Sequence, residues 1–283
     1  MKATALLLPL LGIAIAAHTQ TRINKTPMKA PESVIIHDGY YYISDTGGDP
    51  TKKDGDGVIY KMTPQGDVTV FADSLDSPKG SAIFRNILYV TDVDHIRGYD
   101  LRNGKQVFNL DMSATGSALL NDITPRDENS IFVSATDINK IYIVQLGNIP
   151  SFEEVKIFNP IRGANGLAYD SKRQRLYACG FGSLGAPDGQ IGYIDLSAPE
   201  KKFVPLTTRT GYYDGITLTK NSKLIISDWV AFEKKGVIIE LDINNGKVVT
   251  LNKEPISGPA DFTIDKSGKI ITPAMMEGNV MKF

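Results

Sequence analysis

A single cysteine, Cys179, excludes an intramolecular disulfide, so the chain has to hold its fold by packing alone. Lipid attachment through a cysteine near the N-terminus is not expected, since the one cysteine lies far from it. Neither charge sign is in excess: 31 Lys and Arg face 32 Asp and Glu, for a net charge of −1. There is no basic stripe and no block of like charges, so no nucleic-acid partner is expected. Histidine is scarce at three residues. Long apolar stretches with helical periodicity are missing, with at most a helical turn expected at Ser151–Val155. No Gly-x-Ser-x-Gly phrase occurs, which removes motif support for covalent serine catalysis.

The one long apolar run is Ala3 to Ala17. It follows Lys2 and precedes the polar His18-Thr19-Gln20, with small residues at Ala14, Ala16 and Ala17. This is the pattern of an export signal, and the run is short for a membrane span. Residues 1–17 are therefore expected to be a signal peptide. The mature protein is expected in a bacterial periplasm or secreted fluid, without a membrane span and as a monomer.

The remainder carries a repeat. Asn121-Asp122-Ile123, Asn165-Gly166-Leu167 and Asp214-Gly215-Ile216 each precede an apolar strand: Ile131-Phe132-Val133, Leu176-Tyr177-Ala178 and Leu224-Ile225-Ile226. Weaker copies start at Glu32, Lys79 and Ala260. Steps of 47, 42, 44, 49 and 46 residues separate the six positions. A strand-rich period of roughly 40–50 residues is that of a propeller blade. The expected fold is an all-β, six-bladed β-propeller over residues 31–283. Asp38-Gly39, Asn103-Gly104 and Asn245-Gly246 lie between apolar runs and read as hairpin turns. Blade six shows only three strands before the chain ends at Phe283. Residues 18–30 are expected to supply its outermost strand and close the ring.

The repeat brings the starts of the innermost strands to the axis. Glu32 and Asp214 bring carboxylates there, and Asn121 and Asn165 bring neutral carbonyl oxygens. This all-oxygen set suits one divalent cation, Ca²⁺ before Mg²⁺. Zinc would want His or Cys, and His37 and His95 do not share the phase of the repeat. Asp54-Gly55-Asp56-Gly57 resembles a calcium loop, but Gln65 stands where an EF-hand needs Glu, so it reads as a hairpin tip. Cys179 reads as a buried small residue. Trp229, at a strand end, reads as pocket mouth or packing.

These phrases resemble the gluconolactonase family, which includes regucalcin, and the related paraoxonases. Pro31-Glu32, Asn121-Asp122-Ile123, Ala164-Asn165-Gly166-Leu167 and Tyr213-Asp214-Gly215-Ile216 match their first, third, fourth and fifth blades. The resemblance implies hydrolysis of lactones or related esters around an axial cation. It implies Glu32, Asn165 and Asp214 as metal ligands, with Asn121 as a further ligand or substrate contact. Asp214 is then also the acid/base. The chain departs from the family at three places. Leu119 stands where sugar lactonases carry an Arg. Lys79 brings a cation to the axis, where it pairs with Glu32, binds an anionic substrate or weakens metal binding. Ser33 replaces the Asp that in paraoxonases helps hold a second calcium, so no such second site is expected by that route. The alternative function is an exported propeller that binds a ligand or protein without catalysis.

Overall fold

The computed structural model describes residues 20–183 and 185–283. The signal-peptide expectation for residues 1–17 lies outside the described residues. The described chain forms six four-stranded antiparallel sheets. Blade one comprises Pro31–His37, Tyr40–Asp45, Gly57–Met62 and Val68–Leu75. Blades two, three, four and five repeat the meander, with innermost strands Pro78–Phe84, Leu120–Pro125, Ala164–Asp170 and Tyr213–Leu218. Blade six takes Thr263–Ile264, Ile270–Ala274 and Asn279–Lys282 from the C-terminus, and Thr21–Arg22 from the N-terminus. This is the six-bladed propeller that the spacing predicts.

The ring is held by six interblade cores, one at each junction. Val34, Ile43 and Met62 of blade one pack against Ile271 and Val280 of blade six, and the same blade packs Tyr42 and Ile59 against Leu88 and Val90 of blade two. The other four cores join the remaining neighbours in turn. Each second strand is thus covered on both faces. That explains why Ile131-Phe132-Val133 and Leu176-Tyr177-Ala178 are continuous apolar runs rather than alternating ones, and all six residues are fully buried.

Ser151–Glu154, expected as a helical turn at most, is instead the outer strand of blade three, paired with Lys140–Gln145. Its residues alternate, and Phe152 packs edge-on to Tyr142 with ring centroids 5.9 Å apart. A period of two, not four, governs the segment. Asp54–Asp56 lies in the loop between the second and third strands of blade one, where Asp54 pairs with Lys52 and Asp56 with Lys29.

The ring closes where Thr21 faces Lys282 and Arg22 faces Met281. Asn24 locks this junction. Its amide donates to the Thr26 and Gly278 carbonyls at 2.9 and 3.1 Å, and its Oδ1 accepts the Val280 N–H at 2.8 Å. Asn24→Ala strands buried backbone groups at the closure. It is expected to cost about 1–3 kcal/mol, measured by thermal or urea unfolding.

Candidate metal centre

Every inner strand of blades one to five breaks register at the same place. The irregularities fall between Pro31 and Ser33, Pro78 and Ser81, Leu120 and Ile123, Ala164 and Leu167, and Tyr213 and Ile216. A bulge re-aims a side chain that regular pleating would send elsewhere. The first residues inside these five bulges are Glu32, Lys79, Asn121, Asn165 and Asp214. All five are buried and line one cavity of about 600 Å³. A shallower groove of about 710 Å³ between blades three and four, beside Phe158 and Lys201, contains none of them.

Second-strand side chains hold the bulges. The Ser134 hydroxyl accepts the Asp122 N–H at 2.9 Å, and the Ser227 hydroxyl accepts the Gly215 N–H at 2.8 Å. One residue further on, Asp45 accepts the Lys29 and Ala30 N–H groups, and Asp92 accepts those of Asp76 and Ser77. Each aspartate thereby fixes the segment that leads into its own inner strand. The repeated pairs Ser44-Asp45, Thr91-Asp92 and Ser227-Asp228 are a sequence signal for this device, one that a search for axial ligands passes over.

The axial oxygens are not satisfied by the protein. Glu32 Oε2, Asn121 Oδ1, Asn165 Oδ1 and Asp214 Oδ1 are buried without a hydrogen-bond partner. Buried polar atoms are normally paired, so four orphans converging from four blades form a built acceptor set. Among the described residues no group of three or more His, Cys, Asp and Glu side chains is placed to hold a metal ion. The donor set here mixes two carboxylates with two carboxamides, which is chemistry for a hard cation.

Electrostatics agree with that reading. Burial, and then the charge of Asp214, push the Glu32 carboxyl well above the usual carboxylate range. Burial, and then the charge of Asp261, raise Asp214 to about 7, against the pull of its bonds from Trp229 and Asn165. The Trp229 indole N–H donates to Asp214 Oδ2 at 2.9 Å. Lys79 Nζ turns to its own strand, donating to the Ser77 carbonyl at 2.9 Å and the Ser77 hydroxyl at 3.2 Å. Burial lowers the ammonium to about 8, with Glu32 opposing.

A second layer lies below. Asp122 accepts the N–H groups of Ile123 and of Leu167 in the next blade, at 2.7 and 2.6 Å. Asp261 accepts the Phe262 N–H at 3.0 Å and the Ser33 hydroxyl at 2.9 Å, tying blade six to blade one. Unlike the axial four, these carboxylates are satisfied within the protein. Cys179 is buried and donates its thiol to the Asp214 carbonyl. His37 sits beside Asp38 and His95 beside Asp94, and neither lines the cavity.

No family model matches the chain, and no curated protein matches it. Solved structures do. A gluconolactonase from Xanthomonas campestris superposes with a TM-score of 0.71 at 15% identity, covering 93% of this chain and 88% of that one. The fold is the one this gluconolactonase carries. A luciferin-regenerating enzyme matches with a TM-score of 0.66 at 15% identity, over 93% of this chain and 94% of that one. A virginiamycin B lyase from Staphylococcus aureus, solved as a catalytically inactive histidine-to-alanine variant with quinupristin, gives 0.60 at 18% identity, over 93% and 98%. At these identities the likeness is one of fold.

Proposed function

We propose that this protein is a hydrolase of lactones or related esters that works with one divalent cation, Ca²⁺ first among the candidates. The observation that carries the proposal is the convergence of four unpartnered buried oxygens, from Glu32, Asn121, Asn165 and Asp214, in one cavity. Bound to them, the cation would supply Lewis-acid polarisation of the ester carbonyl. Glu32, Asn165 and Asp214 would hold it, and Asn121 would either complete the set or contact the substrate. Asp214 Oδ1 takes the proton of the attacking water while Oδ2 stays on the Trp229 indole. The water oxygen bonds to the carbonyl carbon, the ring C–O bond breaks, and Asp214 returns the proton to the leaving oxygen. The fold also serves lyases, and the inactive lyase variant lacks a histidine. Among the described residues no histidine lines this cavity, and Asp214 is the group placed there to move a proton.

The test is metal analysis of the purified protein, followed by a lactone and ester panel read with a pH indicator, with and without EDTA. Turnover that EDTA abolishes and calcium restores supports the proposal. Bound metal with no turnover on any member supports the non-catalytic binding propeller.

Lys79 gives a separate prediction. Its ammonium is bonded to Ser77 and lines the same cavity as the four oxygens, which supports its standing near the cation without replacing it. Lys79→Met removes a nearby positive charge and is expected to tighten calcium about tenfold in calorimetry. If the wild type bound no metal and the variant gained it, the ammonium would own the axial position and the hydrolase reading would fail.

A further inference from the structure

Trp229 is the only tryptophan of the chain, and it lines the cavity. Its indole N–H reaches the one Asp214 oxygen that does not face the axial set. Its ring belongs to an aromatic wall. Phe181 meets it edge-on with centroids 5.5 Å apart, Phe232 does so at 5.8 Å, and Tyr212 packs against both phenylalanines.

The indole is held in place from all sides. Its backbone N–H donates to the Tyr212 carbonyl at 3.0 Å. Gly258 leaves room for it, since a Cβ there would stand 3.0 Å from Trp229 Cη2. The next residue, Val230, is held at φ +60° with its N–H on Asp228 Oδ1. A β-branched residue in the left-handed region is a costly conformation, kept where the surroundings over-determine it.

The wall is open to an occupant. Phe232 is 50% exposed at the cavity mouth. The cavity's hydroxyl hydrogens are already committed: Thr46 to the Ala30 carbonyl, Thr51 to Asp49, Thr136 to the Ala164 carbonyl and Ser183 to Asp188. A polyhydroxylated ligand would therefore find few free hydroxyl donors, whereas an apolar one would find ring faces.

We infer that Trp229 is a positioning residue: its N–H fixes Asp214 toward the cation and the attacking water, while the wall it shares with Phe181 and Phe232 takes the apolar part of the ester. The inference rests on the hydrolase reading and sharpens its substrate class. The two parts give opposite kinetic signatures. With calcium-loaded protein, δ-decalactone and glucono-δ-lactone offer the same reacting ring with an apolar tail or with hydroxyls.

Trp229→Phe keeps a ring and loses the N–H. It is expected to lower kcat about tenfold on the substrates that turn over, with KM little changed. Phe232→Ala is expected to raise KM for δ-decalactone about tenfold with kcat held, and to raise it far less for glucono-δ-lactone. In the wild type, the emission of Trp229 should change on calcium titration, because its bonding partner ligates the ion. Calcium binding by calorimetry with silent emission, together with unchanged kcat in Trp229→Phe, overturns the positioning role. An unchanged KM in Phe232→Ala, or a wild-type preference for glucono-δ-lactone, overturns the apolar assignment. Absence of calcium binding, or of all turnover, instead overturns the hydrolase reading on which both rest.

Discussion

Asp214→Asn protein is expected to open lactones about 10²–10⁴-fold more slowly than the wild type, even at saturating calcium. The side chain keeps its shape, and an amide oxygen can still accept the Trp229 N–H that Oδ2 accepts now. What disappears is the charge and the base: the free oxygen facing the axis is replaced by an NH₂ that neither ligates a cation nor takes a proton. Calcium affinity should fall with it, about tenfold or more, because charge count tunes such sites. Glu32→Gln is the control. It also removes a carboxylate from the axial set, yet Glu32 has no assigned proton to move, so raising calcium should restore much of its rate. Calorimetry and initial rates over a calcium series separate the two. Equal rescue of both variants would strip Asp214 of its role as base and leave it a ligand only.

The axial set was legible in the sequence because the repeat has a phase. Glu32, Asn121, Asn165 and Asp214 stand at equivalent points of four of the six repeats, and equivalent points of a closed ring meet at its axis. The six blades were legible for the same reason. The bulges were not, although their composition hints at them: Asn121-Asp122, Asn165-Gly166 and Asp214-Gly215 pair a polar residue with one that suits irregular backbone.

Trp229 was legible as a strand-end residue of the pocket mouth or of the packing, but its bond to Asp214 was out of reach. Its bond to Asp214 depends on a loop after the second strand of blade five, and a loop's path is set by contacts from Gly258, Tyr212 and Phe181 rather than by its own periodicity. The aromatic wall gathers residues from blades four and five; Phe181 and Trp229 each follow the end of a second strand, but Tyr212 and Phe232 have no such counterpart. Asp261 belongs to the least regular copy of the repeat, where the inner strand is two residues long. Its position shows only in its links to blade one, through the Ser33 hydroxyl and through its own N–H, which donates to the Glu32 carbonyl at 2.9 Å. Ser151–Glu154 misled because its alternation spans only four residues, too few to outweigh a helical turn before the pairing with Lys140–Gln145 is known.

Calcium should stabilise this protein strongly above pH 7 and hardly at all near pH 4.5. In the folded calcium-free protein Asp214 titrates at about 7, against 3.8 for an unperturbed carboxyl, and Glu32 is displaced in the same direction. A carboxyl whose pKa is raised by folding contributes stability below its unfolded value. That contribution is lost as pH rises from about 4 through 7, because the folded state then has to carry a buried charge. The calcium-free protein should therefore lose stability across this window from these two groups. Calcium binds the ionised form, so protons compete with it at low pH and the competition ends above 7. At a free concentration of 100 times its dissociation constant, the ion should add about 2.7 kcal/mol at high pH, or roughly 5–10 °C in Tm for a chain of this size. Comparing Tm with calcium and with EDTA at each pH cancels the titration of every carboxylate remote from the axis. Under the assignment made here the difference opens between pH 5 and 8. A calcium effect that is the same at pH 4.5 and pH 8 would mean that the ion sits elsewhere, on surface carboxylates such as Asp54, which its Lys52 partner holds below the usual range.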